Sequence, residues 1–166
     1  MTSPNDEEIR ALAGRVATYL AGAGLRLAVA ESCTGGWVAK ACTDLPGSSA
    51  WFLGGVVAYS NEAKTAMLGV SEDILARAGA VSEATVREMA AGVLDRCGAD
   101  VALAVSGIAG PDGGEPGKPV GTVWIAWASV RDGRRSVRAE AHAFDGDREA
   151  VRRQAVARAL AGVLAA

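Results

Sequence analysis

Apolar residues near the start of the chain recur with helical spacing. Ile9, Leu12, Val16 and Leu20 lie three or four residues apart and follow an acidic stretch. This pattern predicts an amphipathic helix over residues 5–23. Similar stretches predict further helices from residue 37, over 61–69, and from about residue 147. Two more are predicted after Ser71 and over 83–97, with Ser71 and Ser82 as their N-caps.

Short runs rich in β-branched and apolar residues lie between these helices. An Asp-Gly pair at residues 132–133 separates the last two runs, and this pair is typical of an antiparallel hairpin. An α/β fold with helices covering a mixed sheet is therefore predicted. The predicted strands cover residues 25–30, 52–59, 100–105, 120–130 and 134–144.

Length and composition are those of a globular protein with a large core. The chain has 166 residues, half of them hydrophobic, which predicts one domain over residues 1–166. A net charge of -2 provides no basic field for nucleic acid. We expect no nucleic-acid partner and, because no apolar run is long enough, no membrane span.

The cysteines and the first residues suggest where the protein works. Cys33, Cys42 and Cys97 are odd in number and lack the spacing of a zinc site, so neither a disulfide framework nor a metal is indicated. The acidic start of the chain does not resemble a secretory signal. We expect a cytoplasmic protein.

Ser32 stands where an apolar run turns into a helix. A side chain at such a turn can be exposed beside helix-terminal N–H groups, as a nucleophile requires. Thr34, Gly35 and Gly36 follow, and the glycines would let a substrate approach those donors. The alternative is that Ser32 or Thr34 only caps the helix while the glycines make the turn.

A serine nucleophile also needs a base. Lys64, near the start of a predicted helix, could be desolvated so that its pKa falls toward neutrality, although an ordinary surface lysine is the alternative. Tyr59 could donate a proton or simply pack at the strand end. His142 has no acidic neighbour arranged for a triad, and Cys33 ranks behind Ser32 as a nucleophile because most free cysteines are buried hydrophobes.

Residues 106–119 form a long loop of turn-forming residues. The composition resembles a phosphate cradle, but the sequence matches neither a Walker A motif nor a dinucleotide fingerprint. Arg148 or Arg152, in the last predicted helix, could clamp a phosphate or remain a solvated helix arginine.

Four ordered motifs together resemble one family. They are AESCTGG at residues 30–36, YSNEAK at 59–64, AVS at 80–82 and VSGIAGP at 105–111. The chain is similar over nearly its whole length to the CinA C-terminal, nicotinamide mononucleotide deamidase family. The resemblance implies a three-layer α/β/α domain without metal or organic cofactor. It also implies hydrolysis of the carboxamide of nicotinamide mononucleotide to nicotinate mononucleotide and ammonia, a step in pyridine-nucleotide recycling.

The resemblance also implies roles for individual residues. Ser32 would be the nucleophile, Lys64 its general base and Tyr59 a supporting proton donor, while residues 34–36 would supply oxyanion donors. The residues expected to bind the substrate are Thr34, Gly35, Gly36, Asn61, Ser106, Gly107, Ala109, Gly110 and Arg148.

Two other interpretations of the same motifs remain open. The chain could be a binding module for a nucleotide or a partner, in which Ser32 and Lys64 are too far apart to react. It could also hydrolyse a related amide. A homo-oligomer, possibly a dimer, is expected from the apolar composition and from Trp51, Trp124 and Trp127, for which core packing is the alternative.

Overall fold

Five strands and six α-helices make up the computed structural model, which describes residues 3–166. A short 3-10 turn at Ser48–Ala50 precedes the second strand. The helices are α1 Asp6–Ala23, α2 Trp37–Thr43, α3 Asn61–Leu68, α4 Glu72–Ala78, α5 Glu83–Cys97 and α6 Arg148–Val163. The strands are β1 Leu27–Glu31, β2 Phe52–Val57, β3 Val101–Gly107, β4 Thr122–Arg131 and β5 Arg134–Ala143.

The strands form one mixed sheet in the order β2-β1-β3-β4-β5. β1 pairs in parallel with β2 and β3, whereas β4 pairs antiparallel with β3 and β5. The predicted hairpin is confirmed, since Asp132 and Gly133 both have positive φ and join β4 to β5. The mixed sheet is confirmed with it.

Helices cover both faces of this sheet. One core cluster packs α1, α2 and α6 against one face, and a second packs α3, α4 and α5 against the other. The three-layer α/β/α arrangement is therefore confirmed. Trp51 and Trp127 belong to the first cluster and are almost fully buried, so core packing accounts for these two tryptophans.

Side chains cap the helices where local signals predicted it. Ser71 accepts from the Ile74 N–H at 3.4 Å, and Ser82 accepts from the Thr85 N–H at 3.2 Å. β3 is longer than predicted, because Ser106 and Gly107 pair with β4 before the loop begins. Within residues 3–166, no helix is long and apolar enough to cross a membrane.

The topology brings three strand ends together. β1, β2 and β3 are parallel neighbours, so their carboxyl ends, at Glu31, Val57 and Gly107, lie at the same edge of the sheet. Binding sites of open α/β sheets form at this kind of edge. The candidate nucleophile directly follows the end of β1, and the candidate base lies in the first turn of the helix that follows β2.

Candidate active site

Ser32 and Lys64 contact each other at this edge. The Lys64 Nζ lies 3.1 Å from the Ser32 Oγ, although 32 residues separate the two in sequence. Both side chains are buried, with 7% of Ser32 and 1% of Lys64 exposed. This distance is within the reach of a direct proton transfer.

The start of α3 explains how Lys64 reaches the serine. Ser60 caps α3 by accepting from the Ala63 N–H at 3.1 Å, and Lys64 is the fourth residue of that helix. Helical side chains lean toward the helix N-terminus, so the lysine points back toward the end of β2. There its Nζ donates to the carbonyl oxygens of Ala58, at 3.1 Å, and Tyr59, at 3.0 Å.

The charge state of Lys64 follows from its surroundings. Burial lowers the pKa of its amine from the usual 10.5, while the neighbouring Cys33 acts more weakly in the opposite direction. All of its hydrogen-bond partners are neutral oxygens of Ser32, Ala58 and Tyr59. Among residues 3–166 no carboxylate pairs with this buried lysine to hold a positive charge, which favours the neutral amine that a general base must be.

Glu31, which was not among the predicted site residues, organises the turn after β1. Its buried carboxylate accepts from the N–H groups of Gly36 at 3.0 Å, Val38 at 3.1 Å and Ala39 at 2.8 Å. The N-terminus of α2 thus already holds an anion, supplied by the chain itself. An acidic residue directly before a predicted strand-to-helix turn was the available signal for this role.

This contact corrects the expected oxyanion donors. The Gly36 N–H is bound to Glu31, and the Gly35 N–H donates to the Ser32 carbonyl oxygen at 3.0 Å. Neither is free for a substrate in this structure. Among residues 3–166, the N–H groups of Cys33 and Thr34 have no acceptor, so they are the remaining donors of the turn.

A cavity of about 270 Å³ opens beside Ser32 and Lys64. The expected substrate-binding residues Ser106, Gly107, Ala109, Gly110 and Arg148 all line it, as does Tyr59. The cavity is also lined by residues that were not individually predicted to bind, namely Cys33, Ala80, Val81 and, in the 106–119 loop, Ile108, Asp112 and Gly113. The motif at residues 80–82 and the glycine-rich loop were the signals that could have identified them.

Four predicted binding residues do not line this cavity. Thr34 is fully buried, whereas a Cβ on Gly35 would meet Arg152 and one on Gly36 would meet Val57, neither of which lines the cavity. Asn61 begins α3 and lines a separate surface groove with other α3 and α4 residues. The local sequence could not indicate which side of each turn faces the serine.

Polar contacts hold the rim of the cavity together. Arg148 donates to the Gly110 carbonyl at 2.7 Å and to the Tyr59 hydroxyl at 3.1 Å, joining α6 to two other parts of the site. Ser106 donates its hydroxyl to the Ala80 carbonyl at 2.8 Å. Tyr59 is 60% exposed, and its hydroxyl accepts a hydrogen bond from Arg148. Proton donation by Tyr59 stays a prediction.

The two alternative reactive side chains have other surroundings. Burial raises the pKa of Cys33 to about 12, so its thiol is protonated at neutral pH and a poor nucleophile. His142 lies on β5, stacked on Phe144 at 5.2 Å between ring centroids, outside the cavity. Residues 3–166 contain no group of three His, Cys, Asp or Glu side chains that could hold a metal ion.

Comparisons with known proteins show the family of the chain. A family model described as the CinA C-terminal domain matches residues 9–166. A protein of Escherichia coli K12 named nicotinamide-nucleotide amidohydrolase PncC is 57% identical over 155 residues, covering 93% of this chain and 92% of the relative. A protein of Pseudomonas putida with the same name is 53% identical, covering 95% of this chain and 96% of the relative.

Solved structures show the same fold. The competence damage-inducible protein A of Klebsiella pneumoniae superposes with a TM-score of 0.88 at 45% identity, covering 95% of both chains. The competence/damage inducible protein CihA of Agrobacterium tumefaciens superposes with a TM-score of 0.89 at 42% identity, covering 99% of this chain and 98% of the other.

Proposed function

Because the chain belongs to the CinA C-terminal domain family, we propose that it is an amidase that hydrolyses nicotinamide mononucleotide to nicotinate mononucleotide and ammonia. The names of its similar relatives support the substrate. The observation that carries the chemistry is the 3.1 Å contact between Lys64 and Ser32. A nucleophile and a base within hydrogen-bond reach are the signature of covalent acyl transfer.

The carbonyl oxygens around Lys64 orient it as a base. A neutral amine has two N–H donors and one lone pair. With the donors bound to the carbonyls of Ala58 and Tyr59, at 3.1 and 3.0 Å, the lone pair is directed at the Ser32 hydroxyl. The same three partners satisfy the three protons of the ammonium form after transfer. The site can therefore hold the proton without moving a side chain.

The reaction proceeds through an acyl-enzyme. Lys64 takes the hydroxyl proton of Ser32, and the Oγ attacks the carboxamide carbon to form a tetrahedral oxyanion. The lysine returns this proton to the leaving nitrogen as the C–N bond breaks, and ammonia departs. Lys64 then takes a proton from water, whose oxygen attacks the ester, and returns this proton to the Ser32 Oγ as the C–O bond breaks. The acid product leaves and gives up its own proton to solvent.

The free N–H group of Cys33 is our proposed oxyanion donor. Cys33 directly follows the nucleophile and lines the cavity, and its N–H lacks an acceptor among residues 3–166. A single donor of this kind contributes roughly 100- to 1000-fold to the rate in enzymes that use one.

Arg148 and the loop after β3 are proposed to bind the nucleotide. The guanidinium of Arg148 lies at the rim, where it can exchange a carbonyl or the Tyr59 hydroxyl for phosphate oxygens. The exposed ring of Tyr59 offers a face for an aromatic base. An Arg148→Ala variant is expected to raise KM more than it lowers kcat.

The cellular setting follows from the same proposal. Cys33, Cys42 and Cys97 are all unpaired, as suits a reducing cytoplasm. There, removal of the amide nitrogen would return the nucleotide to pyridine-nucleotide recycling. A homo-oligomer stays a prediction, and Trp51 and Trp127 do not support it because both pack in the chain's own core.

Ammonia release from nicotinamide mononucleotide by the purified protein tests the proposal. Ser32→Ala should abolish turnover, and Lys64→Met should lower kcat by about 100- to 10,000-fold, the usual contribution of a general base. Matched controls are Ser48→Ala and Lys40→Met, which change a serine and a lysine outside the cavity. A parent protein that binds the nucleotide without releasing ammonia would favour the binding module. Preference for another amide would reassign the substrate.

A further inference from the structure

Arg152 of α6 contacts the turn that carries the candidate nucleophile. Its Nε donates to the Cys33 carbonyl oxygen at 3.1 Å, and its Nη2 donates to the Thr34 carbonyl oxygen at 3.0 Å. No carboxylate among residues 3–166 lies within ion-pair distance of this guanidinium. Arg152 also does not line the cavity, so it is not the phosphate clamp considered from the sequence.

We propose that Arg152 is a positioning residue that holds the Ser32 turn in its reactive geometry, an inference that rests on the proposed amidase function. In a planar trans peptide the C=O and the N–H point in opposite directions. With the carbonyls of Cys33 and Thr34 bound to Arg152, the N–H groups of Thr34 and Gly35 are directed away from it. The Gly35 N–H accordingly reaches the Ser32 carbonyl at 3.0 Å.

This contact fixes the residue that carries the proposed oxyanion donor. Cys33 lines the cavity, its N–H has no acceptor within residues 3–166, and its carbonyl oxygen is the one that the Arg152 Nε binds. Arg152 thus acts on the proposed oxyanion donor through the backbone of Cys33, without lining the cavity itself.

Gly35 provides the room for this contact. Its φ of +60° places it in the left-handed region, and a Cβ there would lie 3.3 Å from the Arg152 Nη2. A side chain at residue 35 would therefore both strain the turn and displace the guanidinium. The missing side chain of Gly35 thus leaves space for Arg152 of the last helix.

The next residue on the helix is a matched control. Arg152 and Arg153 both stack over the ring of Trp37, with guanidinium carbons 5.2 and 5.0 Å from its centroid. Arg153, however, pairs with the carboxylates of Asp6 and Glu149 and not with the turn. Substituting Arg153 removes the same type of side chain from the same aromatic surface and leaves the Ser32 turn intact.

The experiment compares Arg152→Ala, Arg152→Lys and Arg153→Ala in the full chain, with ammonia release and hydrogen exchange measured on each. Arg152→Ala should lower kcat by about 100-fold with KM changed by less than threefold, the cost of misplacing a reacting group by roughly 1 Å. Arg152→Lys should recover little of the lost kcat, because one ammonium group cannot reproduce the two hydrogen bonds that the planar guanidinium makes to the turn. Guanidinium ion at millimolar concentration should partly restore Arg152→Ala and leave Arg153→Ala unchanged.

Hydrogen exchange keeps this inference separate from the proposed function. The hydrogen-bonded amides of Gly35 and Gly36 should exchange faster in Arg152→Ala than in Arg153→Ala, whatever the substrate is. An inactive parent would refute the amidase function while exchange still decides whether Arg152 holds the turn. The inference is overturned if exchange is unchanged, if kcat is unchanged, if only KM rises, or if Arg153→Ala loses as much activity as Arg152→Ala.

Discussion

Replacing Glu31 with glutamine should destabilise the protein more than its small chemical change suggests. The Glu31 Oε2 accepts from the N–H groups of Gly36 and Val38, and its Oε1 accepts from Ala39. The amide of Glu31→Gln keeps one acceptor oxygen, which can serve two of these donors. Its NH2 group then faces the third N–H, so a donor opposes a donor in a buried place.

The expected loss of stability follows from the one buried N–H group that loses its acceptor. A hydrogen bond to a charged group contributes about 1.5–3 kcal/mol, and leaving a buried donor without an acceptor forfeits it. We therefore expect Glu31→Gln to lower the free energy of unfolding by about 2–3 kcal/mol. For a chain of this length, each kcal/mol shifts Tm by about 2–4 °C, which predicts a decrease of roughly 4–12 °C.

Thermal and urea unfolding measure this, with Glu7→Gln as the control. Glu7 is an exposed acid in the first turn of α1, so its replacement removes a charge near a helix N-terminus and costs less than about 1 kcal/mol. Equal unfolding midpoints for the two variants would refute the role of Glu31 as the anion that closes the turn. Ser32 is the next residue, so kcat should fall with stability in Glu31→Gln.

Three other measurements test the site and the core. Burial lowers the pKa of Lys64 from 10.5, and a general base must be neutral, so kcat/KM should decline as pH falls through a midpoint below 10.5. A midpoint at or above 10.5 would contradict the role of Lys64 as the base. Because burial raises the pKa of Cys33 to about 12, iodoacetamide at pH 8 should leave turnover intact, and inactivation would contradict this. Gly162→Ala should cost about 1–3 kcal/mol in urea unfolding, since its Cβ would lie 2.1 Å from the Trp127 ring. Gly14→Ala, with nothing within 4 Å, should instead stabilise by up to about 1 kcal/mol, and equal effects would refute the packing argument.

Local signals in the sequence were sufficient for most of the fold. The helix over 83–97 was predicted with its bounds and its Ser82 cap, and the hairpin at residues 132–133 with its turn. Capping and turn geometry depend on residues only a few positions apart, so short stretches of sequence determine them. Strand ends were predicted less accurately, because a strand extends only as far as its neighbour pairs with it: β3 continues through Ser106 and Gly107, whereas β2 ends at Val57 and not at residue 59.

The site depended on contacts between distant parts of the chain. Ser32 and Lys64 were proposed from the chemistry of their residue types and from a family resemblance, but only the order of β1, β2 and β3 places them 3.1 Å apart. Oxyanion donors at Gly35 and Gly36 were a reasonable inference from the local turn. It failed because the buried carboxylate of Glu31 binds the Gly36 N–H and the Ser32 carbonyl binds the Gly35 N–H.

Tertiary structure alone decided the role of Arg152. It lies 119 residues beyond Cys33 in the chain, on a helix whose pattern marks it only as one of several arginines. Whether Arg152 reaches the Ser32 turn depends on which face of α6 packs against the sheet and on the missing side chain of Gly35. The sequence by itself thus determined the elements and the reactive residue types, because short-range sterics and capping control them. The packing of the layers decided which polar groups meet, because burial and long-range pairing exist only once the sheet is assembled.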